Sequence, residues 1–205
     1  MEHNLNILEI ENFFPIILYK ELINLFSKED PKWVLKEVVT GKNVVKPWLK
    51  NNNVKDATAF TWVVENNTKE YEFIFKNVKH FIEQKSPYKV EKFGRILFGY
   101  VPPDPSYDHE KYHMTPHIDH DNEGDWKNFL YYLNDNDAST IFFNQVYKKN
   151  VPENYQKQEI VYKIKPVKNK AVIFDRSIYH AGSVSNLNKR IILSIHFLVK
   201  NAQIC

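Results

Sequence analysis

The second half of the chain is a series of short segments rich in β-branched and aromatic residues. Polar or proline-bearing loops separate these segments, a texture that is typical of strands. The predicted strands span residues 88–91, 95–101, 128–133, 139–143, 159–164, 171–174 and 190–199. The core of this half is therefore expected to be built of sheets.

The first half has a different texture. Residues 5–10 alternate weakly between apolar and polar and predict a short strand. Apolar residues at helical spacing predict one helix over about 16–28 and a second over 68–84. Residues 40–60 are polar and irregular, which predicts loops.

Helices that precede a run of strands indicate an α+β protein. We expect a double-stranded β-helix (jelly-roll) core supported by N-terminal helices. The 205 residues are predicted to form a single domain, in which residues 1–87 are mainly helical support and residues 88–200 form the jelly-roll core.

The charge balance does not point to a polyanionic partner. The chain has 28 basic and 25 acidic residues, a formal net charge of +3, and its basic residues are scattered. This balance is too mild to indicate binding to nucleic acid or to an anionic membrane. No nucleic-acid partner is expected, and nothing in the sequence indicates an oligomeric state.

Cysteine usage and hydropathy predict a cytoplasmic location. The only cysteine is Cys205, so one chain cannot form a disulfide or a thiolate metal cage. No apolar run approaches the length of a membrane span, and the first residues do not resemble a signal peptide. A soluble protein without a membrane partner is expected.

The triplet His117-Ile118-Asp119 is the strongest chemical signal. On a strand, His117 and Asp119 would face the same side, and a third ligand, His180, follows the predicted strand 171–174. Two imidazoles and one carboxylate leave three positions of an iron(II) ion open, as in non-haem iron oxygenases. A single H-x-D triplet is common by chance, so the inference depends on the whole set.

The other histidines are weaker candidates. Two of them, His109 and His113, lie in a loop rich in proline and tyrosine, and His120 would face away from the triplet if the strand continued. His196 shares a strand face with Arg190, where it would either line a pocket or be a core histidine with satisfied hydrogen bonds.

Arg190 begins a strand whose two faces differ. Ile191 and Leu193 lie on an apolar face, whereas Arg190 and Ser194 share the other face. A buried arginine is costly unless an anion meets it, and its planar fork suits a carboxylate. The alternatives are a dicarboxylate that bridges Arg190 and the metal, or a structural acidic residue.

The chain resembles the 2-oxoglutarate- and Fe(II)-dependent oxygenase superfamily, and within it the prolyl-hydroxylase-like branch. The resemblance covers about residues 88–199. Its motifs are Pro116-His117-Ile118-Asp119, Leu130-Tyr131-Tyr132-Leu133-Asn134, Thr140-Ile141-Phe142-Phe143, the run 166–175, Tyr179-His180-Ala181-Gly182 and Lys189-Arg190.

The resemblance implies a residue set and a reaction. It implies that the metal ligands are His117, Asp119 and His180, and that Arg190 binds the distal carboxylate of 2-oxoglutarate. Pocket roles are implied for the hydroxyl groups of Tyr132, Tyr100 and Ser194; the alternative for both tyrosines is an aromatic core with a hydrogen-bonded hydroxyl. Hydroxylation of a C–H bond by dioxygen would release succinate and CO2, with ascorbate as a supporting reductant.

Two departures and two alternatives remain. Asp137-Ala138-Ser139 stands where relatives often have a Gly-Gly pair, and Ile192 stands where some branches have serine. The alternatives are a cupin-like metalloenzyme that does not use 2-oxoglutarate and a non-catalytic jelly-roll binding module. The substrate could be a peptidyl proline, a free amino acid or a small metabolite, and the loops 101–115 and 147–158 are candidate flaps over the site.

Overall fold

The computed structural model describes residues 5–27, 32–36, 53–119, 123–148 and 158–200. Two helices and ten strands lie in these ranges. In chain order they are β1 (Ile7–Ile10), α1 (Ile16–Phe26), β2 (Val34–Lys36), β3 (Ala59–Val63), α2 (Lys69–Lys85), β4 (Val90–Val101), β5 (Trp126–Tyr132), β6 (Thr140–Val146), β7 (Ile160–Ile164), β8 (Ala171–Asp175), β9 (Ile178–Gly182) and β10 (Arg190–Val199).

The strands form two antiparallel sheets. The large sheet has the order β1-β8-β5-β10-β4-β3-β2, and the small sheet has the order β7-β6-β9. From β5 to β10 the chain passes back and forth between the sheets, with β6, β7 and β9 in the small sheet. This winding is that of a jelly roll, so the predicted fold class is confirmed.

The two faces of the large sheet have different environments. One face carries Leu193 and Ile195 of β10, which belong to the largest apolar cluster together with residues of both helices. The opposite face carries Ile192, which packs with a second apolar cluster that includes Phe142 and Ile178 of the small sheet. The helices therefore support the large sheet from outside, and the two sheets enclose the second cluster between them.

Local sequence explains the second helix. Thr68 precedes α2 with an extended backbone, and its hydroxyl accepts a hydrogen bond from the Tyr71 N–H at 3.1 Å. This N-cap satisfies one of the free amides of the first turn. Ile74, Val78 and Ile82 are buried on one side of α2 at the spacing of a helical stripe. Among the described residues, neither helix is long and apolar enough to cross a membrane.

The structure differs from the predicted strand set in several places. The segments 88–91 and 95–101 form one strand, β4, which has a bulge opposite His196 where its pairing with β10 shifts register. The sequence patterns did not predict β2, β3 or β9. Since β1, β2 and β3 join the large sheet, residues 1–87 supply strands as well as helices. The division into one domain with two parts stays a prediction.

The loop 101–115 is anchored to its surroundings. Tyr107 is 1% exposed, and its hydroxyl donates to the Lys55 carbonyl at 2.8 Å. The Asp104 N–H donates to the Ser185 carbonyl at 3.0 Å. These contacts hold the loop against the segments of Lys55 and Ser185, and its role as a flap stays a prediction. Most of the second candidate flap, residues 149–157, lies outside the described residues.

Candidate active site

A cavity of about 630 Å³ lies between the two sheets. Its floor is the face of the large sheet that carries Leu97, Ile192 and Ser194, and β9 contributes to the opposite wall. The cavity is large enough for a dicarboxylate together with part of a second molecule, since ligand pockets commonly measure about 300–1,000 Å³.

Three predicted metal ligands converge in this cavity. The ligand atoms of His117, Asp119 and His180 all lie within 4.8 Å of one another. The distance from His117 Nε2 to Asp119 Oδ1 is 3.7 Å, and that from His180 Nε2 to Asp119 Oδ2 is 3.6 Å. Two imidazole nitrogens and one carboxylate at this separation can bind a single ion.

A backbone bridge brings the two histidines together. The His117 N–H donates to the His180 carbonyl at 2.9 Å, and the His180 N–H donates to the His117 carbonyl at 3.0 Å. The two rings are 4.6 Å apart between centroids. The predicted continuous strand through Asp119 is replaced by this single bridged pair, but His117 and Asp119 still face the same side.

The ring orientations suit metal binding. His117 Nδ1 lies 3.1 Å from the Thr115 carbonyl, and His180 Nδ1 lies 3.1 Å from the Ile178 carbonyl. A carbonyl oxygen only accepts, so each Nδ1 carries the proton when its hydrogen bond forms. Each Nε2 then keeps its lone pair for a metal, the arrangement in which metal-binding histidines are usually held.

The electrostatics favour the protonation states that a metal requires. Burial, with the neighbouring His180, lowers the pKa of His117 to about 4, so its ring is neutral at neutral pH. Burial alone would raise the pKa of the Asp119 carboxyl, but the surrounding histidines, His180 first, hold it well below its usual value. His117 and Asp119 are therefore each in the protonation state that binds a cation.

Arg190 lies in the same cavity, on β10. The residue is 5% exposed, and its Nη2 donates to Thr140 Oγ1 at 2.6 Å. Its Nε is buried without a hydrogen-bond partner, and within the described ranges no carboxylate lies within 4.0 Å of it. Burial lowers the pKa of Arg190, yet a guanidinium stays protonated at neutral pH. The structural acidic partner considered from the sequence is therefore not seen among these residues, and a bound carboxylate would complete the site.

Two neighbours shape the pocket around Arg190. Tyr132 is fully buried, and its hydroxyl lies 2.7 Å from Thr140 Oγ1, which links it to the guanidinium. A Cβ atom added to Gly182 would lie 2.6 Å from Arg190 Nη1. The glycine therefore leaves the space through which the guanidinium reaches Thr140.

The other two predicted pocket residues lie on opposite faces of the large sheet. Ser194 lines the cavity. The placement of Tyr100 corrects the sequence prediction, because its ring lies on the helix side, 6.3 Å from the Trp33 ring and 6.0 Å from the Phe60 ring. Gly99 faces the cavity, and neighbouring residues of a strand face opposite ways. We therefore leave Tyr100 out of the site.

The remaining histidines lie in different surroundings. His109 contacts Glu110 and Asp137, and His113 bonds the Met114 carbonyl; neither histidine lines the cavity. His120 lies outside the described residues. His196 is 4% exposed, and its Nε2 is 3.4 Å from Asp119 Oδ2. His196 is not among the residues that line the cavity, so of the two interpretations left open for it the structure favours a buried histidine with polar partners, here Asp119 and Arg95.

Two further residues belong to the site and were missed by sequence reasoning. Asn128 of β5 is 1% exposed and lines the cavity, and neither its Oδ1 nor its Nδ2 has a hydrogen-bond partner. A buried amide of this kind is expected to bond an ordered water or a polar ligand in the cavity. Arg95 of β4 lies 3.8 Å from Asp119 through Nη2. Only the pairing of both strands with β10 beside His196 places these residues in the site.

The sequence matches no protein-family model. No curated protein matches it either. Solved structures do resemble the fold. A prolyl-4-hydroxylase from Pseudomonas putida has a TM-score of 0.60 at 14% sequence identity, over 97% of this chain and 95% of that one. An oxidoreductase of the 2OG-Fe(II) oxygenase family from Burkholderia pseudomallei has a TM-score of 0.60 at 10% identity, over 96% and 86% of the two chains.

A third similar structure is a prolyl hydroxylase in complex with a hypoxia inducible factor oxygen degradation domain peptide fragment, from Trichoplax adhaerens. Its TM-score is 0.59 at 14% identity, over 95% of this chain and 84% of that one. Coverage of this extent includes both helices and both sheets. The chain therefore shares the fold of these prolyl hydroxylases and of the 2OG-Fe(II) oxygenase over nearly its whole length.

Proposed function

We propose that the protein is a dioxygenase that uses Fe(II) and 2-oxoglutarate to hydroxylate a C–H bond of a small-molecule or peptide substrate. One molecule of dioxygen would be consumed with 2-oxoglutarate, one oxygen atom would enter the substrate, and succinate and CO2 would be released. The observation that carries the proposal is the buried Arg190, which shares one cavity with His117, Asp119 and His180 and meets no acidic residue in the described part of the chain.

Each part of the cavity has a task in this proposal. The triad would hold Fe(II), which with 2-oxoglutarate supplies the oxidising chemistry when bound. Arg190 and Thr140 would bind the distal carboxylate of 2-oxoglutarate, because a charged fork and a hydroxyl already meet there. Apolar walls such as Leu130 and Phe174 keep water from this end of the cavity.

The fold supports the prolyl-hydroxylase-like branch without naming the substrate. One neighbour of similar fold was solved with a peptide, which supports a peptidyl substrate. A free amino acid or a small metabolite also fits a cavity of this volume. A supporting role for ascorbate stays a prediction.

The proposal is tested with the purified protein, Fe(II) and 2-oxoglutarate. Succinate is measured by mass spectrometry while panels of peptides and amino acids are screened. The wild-type protein should release succinate, and His117→Ala should not, because the site loses one of its three ligands. The matched control is His80→Ala, which removes an exposed histidine of α2 and should leave succinate release unchanged. Release at the wild-type rate by His117→Ala would refute the assignment.

Arg190→Met separates this proposal from a cupin-like enzyme that does not use 2-oxoglutarate. The variant removes the charge while keeping an unbranched side chain. Binding of 2-oxoglutarate should weaken by about one to two orders of magnitude, since a buried charge-assisted contact contributes about 1.5–3 kcal/mol. Unchanged affinity would favour the cupin-like enzyme. Negligible binding of both metal and 2-oxoglutarate by the wild type would favour a binding module instead.

A further inference from the structure

Arg95 stands at the open side of the metal site. It lies in the bulge of β4, and bulges commonly redirect a side chain beside an active site. Its Nη2 is 3.8 Å from Asp119 Oδ1 and 3.5 Å from His196 Nε2, while 43% of the side chain is exposed. Both distances exceed those of strong charge-assisted bonds, about 2.7–2.9 Å. The guanidinium is therefore next to the metal ligands with most of its donors available to another group.

When the metal and 2-oxoglutarate are bound, no other charge among the described residues of the site balances the positive charge of Arg95. A divalent metal bound by Asp119 keeps one positive charge, and dianionic 2-oxoglutarate bound by Arg190 keeps one negative charge. These four groups together are neutral. Among the described residues that line the cavity, Asp119 is the only acid, whereas Arg95 and Lys36 add two positive charges. The space that remains for a substrate is therefore electropositive.

The floor beyond Arg95 is mainly apolar, with Thr61 and Lys36 as its polar residues. Val34 of β2 and Val63 of β3 are 54% and 52% exposed, and both line the cavity with Leu97 of β4. Strand pairing places Val63 directly opposite Leu97 and Val34 opposite Thr61. β2 and β3 therefore extend the floor of the cavity with a surface that suits hydrocarbon.

We propose that the substrate of this site is an organic anion. Its carboxylate or phosphate group would be bound by Arg95 beside the metal, and its apolar body would lie over Val63 and Val34. The proposal rests on the proposed oxygenase function and narrows its substrate class. An anionic acid is favoured over an uncharged internal segment of a peptide, which would leave the Arg95 charge without a partner.

The test measures binding without turnover. The protein is saturated with Mn(II) and 2-oxoglutarate in the absence of oxygen, and calorimetry follows the addition of octanoate, octyl phosphate, octanol or octylamine. At least one anion should bind about tenfold or more tightly than octanol, the size expected of a charge-assisted hydrogen bond. Octylamine should bind more weakly than octanol. The stronger of the two anions identifies the head group.

Substitutions of Arg95 test whether this residue causes the preference for anionic ligands. Arg95→Gln should remove most of the preference for the anion, since Lys36 keeps its charge, and should leave octanol binding unchanged. Arg95→Lys should keep more of the preference because the positive charge remains without the planar guanidinium. The matched control is Lys20→Gln, which removes one positive charge from the exposed surface of α1 and should preserve the preference. Equal binding of octanol and both anions, or an anion preference that is undiminished in Arg95→Gln, would overturn the proposal.

Two measurements separate this proposal from its alternatives. If Arg95 only positions Asp119, Arg95→Gln will weaken Mn(II) binding and leave the anion preference intact, which overturns the substrate role. If 2-oxoglutarate itself does not bind the Mn(II)-loaded protein, the proposed function has failed. Binding of 2-oxoglutarate without any preference for anions overturns the substrate class alone.

Discussion

Gly182→Ala tests how closely the cavity is built around Arg190. The added methyl group would lie 2.6 Å from Arg190 Nη1, whereas its next neighbours, Arg190 Cζ and Met114 Sδ, are at 3.6 and 3.9 Å, which are ordinary contacts. Gly182 is not among the described residues with positive φ, so alanine adopts its backbone conformation without strain. The substitution therefore acts on one group, the guanidinium.

The expected magnitude follows from the contacts of that group. To reach an ordinary distance of 3.4 Å, Nη1 must withdraw by about 0.8 Å. We expect such a shift to weaken the 2.6 Å bond from Nη2 to Thr140 and to move the guanidinium away from the proposed position of the distal carboxylate. A hydrogen bond to a charged group contributes about 1.5–3 kcal/mol, so the Kd for 2-oxoglutarate should rise about 10- to 100-fold.

The stability of the fold should change much less. Replacing glycine by alanine in a compatible conformation stabilises a protein by about 0.4–1 kcal/mol through the unfolded chain, which offsets part of the lost Thr140 bond. Calorimetry with Mn(II) in the absence of oxygen gives the Kd, and urea denaturation gives the free energy of unfolding. A rise in Kd with nearly constant stability is the expected pair of results.

The double variant Gly182→Ala/Arg190→Met shows whether the effect passes through the guanidinium. With Arg190 replaced by Met, the alanine methyl group has no Nη1 to displace, so the second substitution should add little to the first. Fully additive losses in affinity would mean that Gly182 acts by another route. An unchanged Kd in the single variant would refute the assignment of this end of the cavity to the distal carboxylate.

Three further predictions concern stability, pH and the buried amide. Ile74→Ala should lower the free energy of unfolding by about 2–5 kcal/mol because Ile74 is fully buried, whereas Ile17→Ala, at a position 69% exposed, should change it by less than about 0.5 kcal/mol in urea titrations. Without metal, stability should fall by up to about 3 kcal/mol as the pH drops from 6.5 to about 4, since the unfolded chain binds a proton that folded His117 does not; His117→Ala should show a shallower pH dependence. Asn128→Leu should stabilise the metal-free protein and reduce succinate release, because it removes an unpaired buried amide that faces the ligand space.

Strong local periodicity made much of the fold predictable. The buried stripe of α2 contains Ile74 and Val78 at helical spacing, and β10 alternates between two faces, so both elements were predicted to within a few residues. The strands β2 and β3 were not predicted. They are three and five residues long. β2 pairs with β3 and β3 pairs with β4, so both strands depend on partners far away in the chain, which a local pattern does not record.

The candidate site was predictable where residue type decides the chemistry. The convergence of His117, Asp119 and His180 follows from motifs that the sequence displays. The face occupied by Tyr100 depends instead on the register of β4, where a displacement of one residue reverses every side chain. Asn128 was missed for a related reason, because a lone asparagine in an apolar strand has no chemical signature until its neighbours are known.

The two faces of β10 connect the stability of the fold to the geometry of the site. Leu193 and Ile195 are fully buried on the helix side, whereas Arg190 and Ser194 alternate with them on the cavity side. Because a strand cannot move one face without the other, the helices that hold the apolar face also fix the position of the guanidinium. The N-terminal helices therefore do more than cover the large sheet. In the proposed oxygenase, this support would hold Arg190 at a fixed distance from the three proposed metal ligands, and that distance would set the length of the cosubstrate.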